Sequence, residues 1–152
     1  MEHTKDFLNL LLDRRSCRAF QPDPVDRPTL AAIVEAGRYA PSAMNIQKNH
    51  FYIITDPALL TQLTETVSRK LEGFAGRDFR YGAPALVLVT NRKRNTMALQ
   101  DASCAMENMM LAAYSMGVGS CWINQPFHLQ DDPDLRALLA PLGVTETDLL
   151  CC

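Results

Sequence analysis

The sequence predicts an α+β or layered α/β domain with a small sheet and a long central helix. Helical segments outnumber strand segments along the chain. The longest helical segment, residues 96–116, is apolar around much of its circumference, which is typical of a helix buried in a core or an interface. A doubly wound dinucleotide fold is disfavoured because no glycine-rich turn joins a strand directly to a helix.

The first half of the chain contains signals for three helices and one strand. An apolar stripe at helical spacing follows Thr4, a suitable N-cap. Pro28 suits a first helical turn and Pro41 ends that helix. Aromatic and β-branched residues then indicate a strand before Asp56-Pro57 opens another helix. We therefore expect helices over residues 4–14 and 28–39, a strand over residues 50–55, and a helix from residue 56.

The second half contains one strand that is apolar throughout, which indicates cover on both faces. Gly117 marks the end of the long helix that follows it. We expect the strand over residues 85–90, the long helix over 96–116, a short extended piece over 120–123, a helix over 131–139, and the start of a last strand at 149–152.

Composition restricts the classes of function. A length of 152 residues suits one domain, and a net charge of −2 supplies no general field for nucleic acid or an anionic membrane. No apolar run reaches the length of a bilayer-spanning helix, and no Cys/His spacing matches a metal site. The five cysteines include no CxxC pair. We expect free thiols and a cytoplasmic protein.

The basic segment Arg14-Arg15-Ser16-Cys17-Arg18 has two interpretations. Its three guanidinium groups and one hydroxyl lie at the end of a predicted helix. Guanidinium groups bind phosphate bidentately, so the segment could hold an anionic ligand. Arginine also complements the dipole at a helix C-terminus, and on residue type alone a solvated helix end is the better interpretation.

Two further segments could contact a flat heterocycle. Residues 40–47 combine small side chains with two amides, which can donate to and accept from ring edges. Residues 117–125 carry Trp122, the only tryptophan of the chain, which could border an aromatic ligand. Each segment also has an ordinary interpretation: the first as a polar loop, and Trp122 as a core residue.

Taken together, the three segments resemble the motifs of the FMN-dependent nitroreductase family. Residues 14–20 match Arg-Arg-Ser-x-Arg-x-Phe, and residues 40–47 match Ala-Pro-Ser-x-x-Asn-x-Gln. Residues 101–123 resemble the central helix and the Gly-x-Gly-Ser-Cys-Trp-Ile loop of the family, and Tyr-Gly-Ala-Pro at 81–84 also fits. The resemblance covers nearly the whole chain. It implies a single layered α/β/α domain over residues 1–152, with a small, mainly antiparallel sheet.

The resemblance also implies a homodimer with two FMN sites at the subunit interface, each built from both chains. Arg14 and Ser16 would lie near the FMN phosphate and ribityl chain. Arg15 would contribute through its backbone or stem, and Arg18 would face the N1/C2=O side of the ring. The other implied site residues are Pro41, Ser42, Ala43 and Asn45 of the second chain, with Gln47 nearby, and Trp122, Ile123 and Asn124 along the ring face and N5 edge.

The implied activity is an NAD(P)H-dependent flavoprotein reductase. It would pass hydride from NADH or NADPH through FMN to a nitroaromatic, quinone or similar small aromatic acceptor in a ping-pong cycle. A fixed cation such as Arg18 would stabilise the negative charge that forms around N1 and C2=O. The cofactor carries the chemistry, so no catalytic side chain is expected. Reductive dehalogenation, dehydrogenation and non-catalytic FMN binding remain alternatives.

The sequence departs from the family at its C-terminus. Family members usually continue with a last strand and a tail carrying basic residues, whereas this sequence stops at Cys151-Cys152. We expect this difference to weaken binding of the FMN phosphate and to make that binding depend more strongly on Arg14. We also expect an unpaired sheet edge and exposed terminal thiols open to oxidation.

Overall fold

The structure is a computed structural model that describes residues 7–152. The helices are α1 Phe7–Asp13, α2 Arg27–Arg38, α3 Pro57–Lys70, α4 Ala98–Ser115, α5 Gln125–His128 and α6 Pro133–Leu139, and the strands are β1 His50–Ile54, β2 Leu86–Arg92 and β3 Asp148–Leu150. Short 3-10 turns occupy Ala43–Asn45 and Ala140–Leu142. The predicted elements are confirmed at residues 28–39, 50–55, 85–90, 96–116 and 131–139, each within a few residues.

The sheet has the order β1-β2-β3 and is antiparallel throughout. Successive residues of β2 face opposite layers: Val89 packs with α2 and α4, and Leu88 packs with α3 and α6. A strand covered on both faces needs apolar residues at consecutive positions, which explains the continuous apolar run in its sequence. The predicted layered α/β/α architecture with a small antiparallel sheet is therefore confirmed.

Helix α4 packs closely against α2 through small residues. A Cβ added to Gly37 would lie 2.7 Å from Met109 Cγ and 3.2 Å from Phe51 Cε1, so a larger residue at this crossing would require the Met109 side chain to shift. Asn108 Nδ2 donates to the Ala36 carbonyl at 3.1 Å, in the same part of the contact. The end of α2 is consequently held against α4, and the loop that follows α2 starts from a fixed point.

The end of the sheet contains a β-bulge. The amides of Cys151 and Cys152 both point to the Val89 carbonyl, at 2.9 and 3.4 Å, and the Val89 amide donates to the Cys152 carbonyl at 2.7 Å. Two residues opposite one break the alternation of side chains. Both thiols therefore enter the same core cluster.

The expectation of exposed, oxidisable terminal thiols is wrong. Cys151 is 4% exposed and Cys152 is 5% exposed. Burial raises the pKa of each thiol to about 12. Oxidation requires access and thiolate character, and both are lacking here.

One local expectation differs from the structure, and one short helix was not predicted. Residues 120–123 were expected to form a short extended strand, but residues 118–124 belong to no strand. The short helix α5 follows this segment and had no clear periodic signal, because four residues are too few to show one. The predicted start of the first helix, including Thr4, lies outside the described residues.

The apolar stripe of α1 faces outwards in the single chain. Helix α1 has no buried residue. Four of its five large apolar side chains are between 43% and 67% exposed, namely Phe7, Leu8, Leu11 and Leu12, and Leu10 is half-buried. Within residues 7–152, no helix combines the length and the apolar character needed to cross a membrane.

Candidate functional site

The basic segment follows α1 directly, and its arginines have different surroundings. The Nε and Nη1 atoms of Arg14 are buried without a hydrogen-bond partner in the described part of the chain. The Glu107 carboxylate lies 3.7 Å from Arg14 Nε, beyond hydrogen-bond distance. A buried donor without an acceptor costs roughly 1–3 kcal/mol, and more when it is charged. Within the described residues Arg14 therefore has an ion-pair partner, but its two buried nitrogens have no hydrogen-bond acceptor.

Arg15 caps its own helix. Its Nη1 atom donates to the Leu12 carbonyl at 2.6 Å and to the Arg14 carbonyl at 2.8 Å. These carbonyls end α1, so the solvated helix-end interpretation fits Arg15 but not Arg14. Ser16 and Arg18 are exposed and available to a ligand.

The third segment lies against the first. The Cys17 amide donates to the Ser120 carbonyl at 2.9 Å. A Cβ added to Gly119 would lie 3.2 Å from both Cβ and Sγ of Cys17, so the two backbones approach closely. The fold thus brings together two segments that are about a hundred residues apart in sequence.

Trp122 is not a core residue. It is 36% exposed, and its Nε1 donates to Asn124 Oδ1 at 2.8 Å. This bond orients the ring and the Asn124 amide relative to each other. The structure therefore disfavours the core interpretation of Trp122 and leaves its indole available to a ligand.

A cavity of about 410 Å³ opens beside the paired first and third segments. Its walls are mainly apolar and come from α2, α4 and the approach to β2. Among the predicted site residues only Ile123 lines it. Neighbouring wall residues include Cys17, Phe20, Met106, Gly119 and Cys152.

The second segment has an unusual backbone. Met44, Asn45 and Gln47 have φ of 52°, 55° and 47°, in the left-handed region that favours glycine. Such conformations cost of order 1–3 kcal/mol each and persist only where surrounding contacts impose them. Here the Gln47 amide donates to Ser42 Oγ at 2.9 Å, and the Ala43 amide donates to Asp101 Oδ1 at 2.8 Å.

The second segment lines a cleft of its own, of about 510 Å³. Pro41, Ser42, Asn45 and Gln47 all lie in its wall, whereas Ala43 turns towards Asp101. The cleft and the apolar cavity share no lining residue. Within one chain the structure thus joins the first and third segments and leaves the second apart.

Sequence reasoning did not include Asp101 among the candidate site residues. It is 3% exposed and accepts the Ala43 amide that starts the strained turn. The only available signal was its position at the start of the central-helix motif. Among the described residues, no group of three or more His, Cys, Asp and Glu side chains could hold a metal ion.

Comparison with known proteins agrees with the fold. The structure is similar to a nitroreductase with bound FMN from Bacteroides fragilis NCTC 9343, with a TM-score of 0.91 and 37% identity over 97% of this chain and 85% of that chain. The model of the Nitroreductase family matches residues 11–152. The chain belongs to the nitroreductase family.

Two more distant relatives extend the comparison. An Archaeoglobus fulgidus protein, provisionally named NADH dehydrogenase/NAD(P)H nitroreductase, is 28% identical over 146 residues, which cover 93% of this chain and 79% of that protein. A nitroreductase with bound FMN from Desulfitobacterium hafniense DCB-2 has a TM-score of 0.85 at 23% identity, over 96% of this chain and 85% of that chain. The second likeness concerns the fold alone.

Proposed function

We propose that this protein is an FMN-dependent oxidoreductase that uses NADH or NADPH to reduce a nitroaromatic, a quinone or a similar small aromatic acceptor. Family membership and the FMN bound by the Bacteroides relative support the cofactor. The name of the Archaeoglobus relative supports a nicotinamide reductant. When bound, FMN would accept hydride in one half-reaction and deliver it in another, which is a ping-pong cycle.

The observation that carries the proposal is the guanidinium of Arg14, which has an ion pair with Glu107 but unused hydrogen-bond donors. Its buried Nε and Nη1 atoms have no acceptor in the described chain. A phosphate would accept from this guanidinium, and the exposed Ser16 hydroxyl and Arg18 guanidinium lie within four residues of it. The donor set of this segment therefore fits the phosphate end of FMN.

The proposed roles of this chain's residues divide into three groups. Arg14 and Ser16 hold the phosphate and ribityl chain, and Arg15 fixes the backbone of that segment by capping α1. Arg18 supplies positive charge on the N1/C2=O side of the ring, where reduction places negative charge. The ring would be bordered by Trp122, Ile123 and Asn124 and by Pro41, Ser42, Ala43, Asn45 and Gln47 of the second chain.

We further propose a homodimer. Residues of the 41–47 loop line the cleft, whereas Cys17 of the basic segment lines the apolar cavity. Two separate spaces in one chain are expected if each site is completed by a second copy. The exposed apolar side chains of α1 offer a surface that association would bury. Sedimentation equilibrium should give twice the chain mass, and a monomer at micromolar concentration would contradict this part of the proposal.

A cytoplasmic location is also proposed, with residues 1–152 acting as one nitroreductase-like domain. All five cysteines are free in the structure. Free thiols are expected where glutathione and thioredoxin keep cysteines reduced. Fractionation of the native host, followed by immunodetection, would test the location.

The decisive experiment is the visible spectrum of the purified protein under anaerobic conditions. We expect a flavin spectrum that is bleached by NADH or NADPH and restored by a nitroaromatic or a quinone added afterwards. Colourless protein that also binds no FMN in titration would overturn the proposal. Recovery of the spectrum before any acceptor is added would contradict the two separate half-reactions.

Two alternatives predict different spectra. A non-catalytic FMN-binding protein would be yellow, but neither nicotinamide would bleach it. Dehalogenation or dehydrogenation on the same fold would show turnover with halogenated aromatics or reduced substrates in place of nitroaromatics and quinones. A panel of acceptors in steady state separates these outcomes.

A further inference from the structure

Four polar residues form a closed ring of hydrogen bonds beneath the strained loop, in which Asp101 takes part through its carboxylate and its backbone carbonyl. Asn91 and Asp101 are 0% and 3% exposed, so this ring is largely buried. Asn49 Nδ2 donates to the Asp101 carbonyl at 3.0 Å, and Asn91 Nδ2 donates to Asn49 Oδ1 at 2.8 Å. Asn95 Nδ2 closes the ring by donating to Asn91 Oδ1 and Asp101 Oδ2, each at 3.2 Å.

The ring joins three parts of the fold that are separate in sequence. Asn91 belongs to β2, Asn49 precedes β1, and Asp101 lies in the first turn of α4. A carboxylate in the first turn is favoured by the helix dipole. Asn49 and Asn91 each both donate and accept within the ring, and Asn95 donates twice. Asn49 thus holds the Asp101 backbone and Asn95 holds its carboxylate, so residue 101 is tied to the sheet at both groups.

The two carboxylate oxygens of Asp101 connect the ring to the loop. Oδ2 is used within the ring, while Oδ1 accepts the Ala43 amide at 2.8 Å. Ala43 opens the turn in which Met44 and Asn45 have positive φ. Such a backbone relaxes unless surrounding contacts impose it, and Asp101 supplies the contact that comes from the buried core.

We propose that Asp101 is a positioning residue of the flavin site, which holds residues 41–47 in the shape that contacts the cofactor. This proposal rests on the proposed function of that segment in FMN binding. Asp101 itself does not touch the cofactor in this account. Its carboxylate acts through the Ala43 amide, and the asparagine ring acts through the carboxylate.

The chemistry of the ring requires a carboxylate at position 101. Two donors approach its two oxygens, and an asparagine would present one oxygen and one NH₂ group. Whichever way that amide faces, an NH₂ meets either the Ala43 amide or Asn95 Nδ2. Rotation of the Asn95 side-chain amide by 180° would not relieve this clash without loss, because Asn95 Oδ1 already accepts the Met97 amide at 3.0 Å.

The test is Asp101→Asn, a substitution that hardly changes volume. A matched control is Asp148→Asn: Asp148 is also 3% exposed and uses both oxygens, but its donors are Thr145 and Arg92 in another part of the fold. Four quantities are measured for each variant: the Kd for FMN, the Kd for riboflavin, the midpoint of urea unfolding, and hydrogen exchange of residues 42–47 without cofactor.

We expect Asp101→Asn to weaken FMN and riboflavin by the same factor, about tenfold or more, because the loop does not bind the phosphate. Exchange at residues 42–47 should rise. Asp148→Asn should lower the unfolding midpoint but keep FMN affinity within about twofold. Unchanged affinity in Asp101→Asn, or equal affinity losses in both variants, would overturn the positioning role.

The two proposals can fail separately. If the wild-type protein binds neither FMN nor riboflavin, the proposed function is wrong. Hydrogen exchange then still tests the structural part, because unchanged exchange at residues 42–47 in Asp101→Asn would show that the ring does not hold the loop.

Discussion

The basic segment after α1 and the loop after α2 would contact the same cofactor, yet the protein holds them in opposite ways. The basic segment is exposed and charged, and the buried guanidinium atoms of Arg14 have no acceptor within the described chain. Residues 41–47 carry no charge, but Ser42 and Asp101 fix their backbone in a strained form.

This difference indicates a division of labour within one site. A guanidinium whose donors lack an acceptor gives affinity for an anion, because the ligand supplies that acceptor. A fixed backbone gives shape, because the cost of ordering it is met during folding and not during binding. The basic segment should therefore respond to the phosphate of the ligand, and the loop should respond to its ring.

The largest expected effect is that of Arg14→Ala on FMN binding. Loss of a charge-assisted bond costs about 1.5–3 kcal/mol, so the Kd for FMN should rise roughly 10- to 100-fold. Riboflavin, which lacks the phosphate, should bind with nearly unchanged affinity. Fluorescence titration with both ligands measures the difference.

Arg15→Ala is the matched control for this prediction. Arg15 already donates to the Leu12 and Arg14 carbonyls, so its removal should alter FMN affinity much less than the removal of Arg14. Equal losses for the two variants, or an equal loss of riboflavin binding in Arg14→Ala, would break the proposed division.

The next effect compares two close contacts, one beside each segment. Gly37→Ala would place a Cβ 2.7 Å from Met109 Cγ, in the buried crossing of α2 and α4. Overpacking of this kind costs about 1–3 kcal/mol, which urea unfolding should detect. Gly119→Ala meets Cys17 at 3.2 Å, where the neighbour is half-buried and can move, so its cost should be smaller. The reverse order would show that the basic segment is the more rigid one.

A smaller effect is expected for Ser42→Ala. The Gln47 amide would lose its Ser42 Oγ acceptor, a contribution of about 0.5–1.5 kcal/mol in typical cases. FMN and riboflavin should weaken together, by about the same few-fold factor. Selective loss of FMN would place the loop near the phosphate and contradict the comparison.

The smallest effect concerns thiol labelling, which reports on the basic segment without substitution. Cys104 is exposed and should react first with a thiol reagent, whereas Cys151 and Cys152 should stay unreactive in the folded protein. FMN should slow the labelling of Cys17, which lies between Ser16 and Arg18. Mass spectrometry of labelled peptides measures each site, and labelling of Cys17 that FMN leaves unchanged would argue against a ligand at the basic segment.

The same buried thiols predict a loss of stability at alkaline pH. Their pKa is about 12 in the folded protein against an ordinary value of 9.0. Below pH 9 the thiols are protonated in both states and contribute no pH dependence. Above it the unfolded chain releases protons that the folded chain keeps, so the free energy of unfolding should fall as pH rises. Urea unfolding at several alkaline pH values, with Cys151→Ser and Cys152→Ser for comparison, isolates this contribution.

Local patterns predicted most of the elements, because those elements depend on nearby residues. The continuous apolar run of β2 and the long apolar stripe of α4 both require burial on several sides, and the structure shows it. Pro28 and Pro57 occupy first helical turns, as expected from the missing amide of proline.

The features that sequence did not predict depend on contacts between distant residues. The bulge at Cys151-Cys152 is defined by the carbonyl and amide of Val89. Asp101 is separated from Ala43 by 58 residues. Residue type also did not distinguish Arg14 from Arg15, because only the fold shows which guanidinium finds carbonyl acceptors.

Met44 has a backbone conformation and an exposure that the stability of the single chain does not explain. Its backbone is left-handed although it is not glycine, and its apolar side chain is 89% exposed. Glycine would relieve the backbone and a polar residue would suit the solvent, so stability alone gives no reason for methionine at this position. If the loop contacts FMN as proposed, selection for a stable fold and selection for cofactor binding would oppose each other at this position.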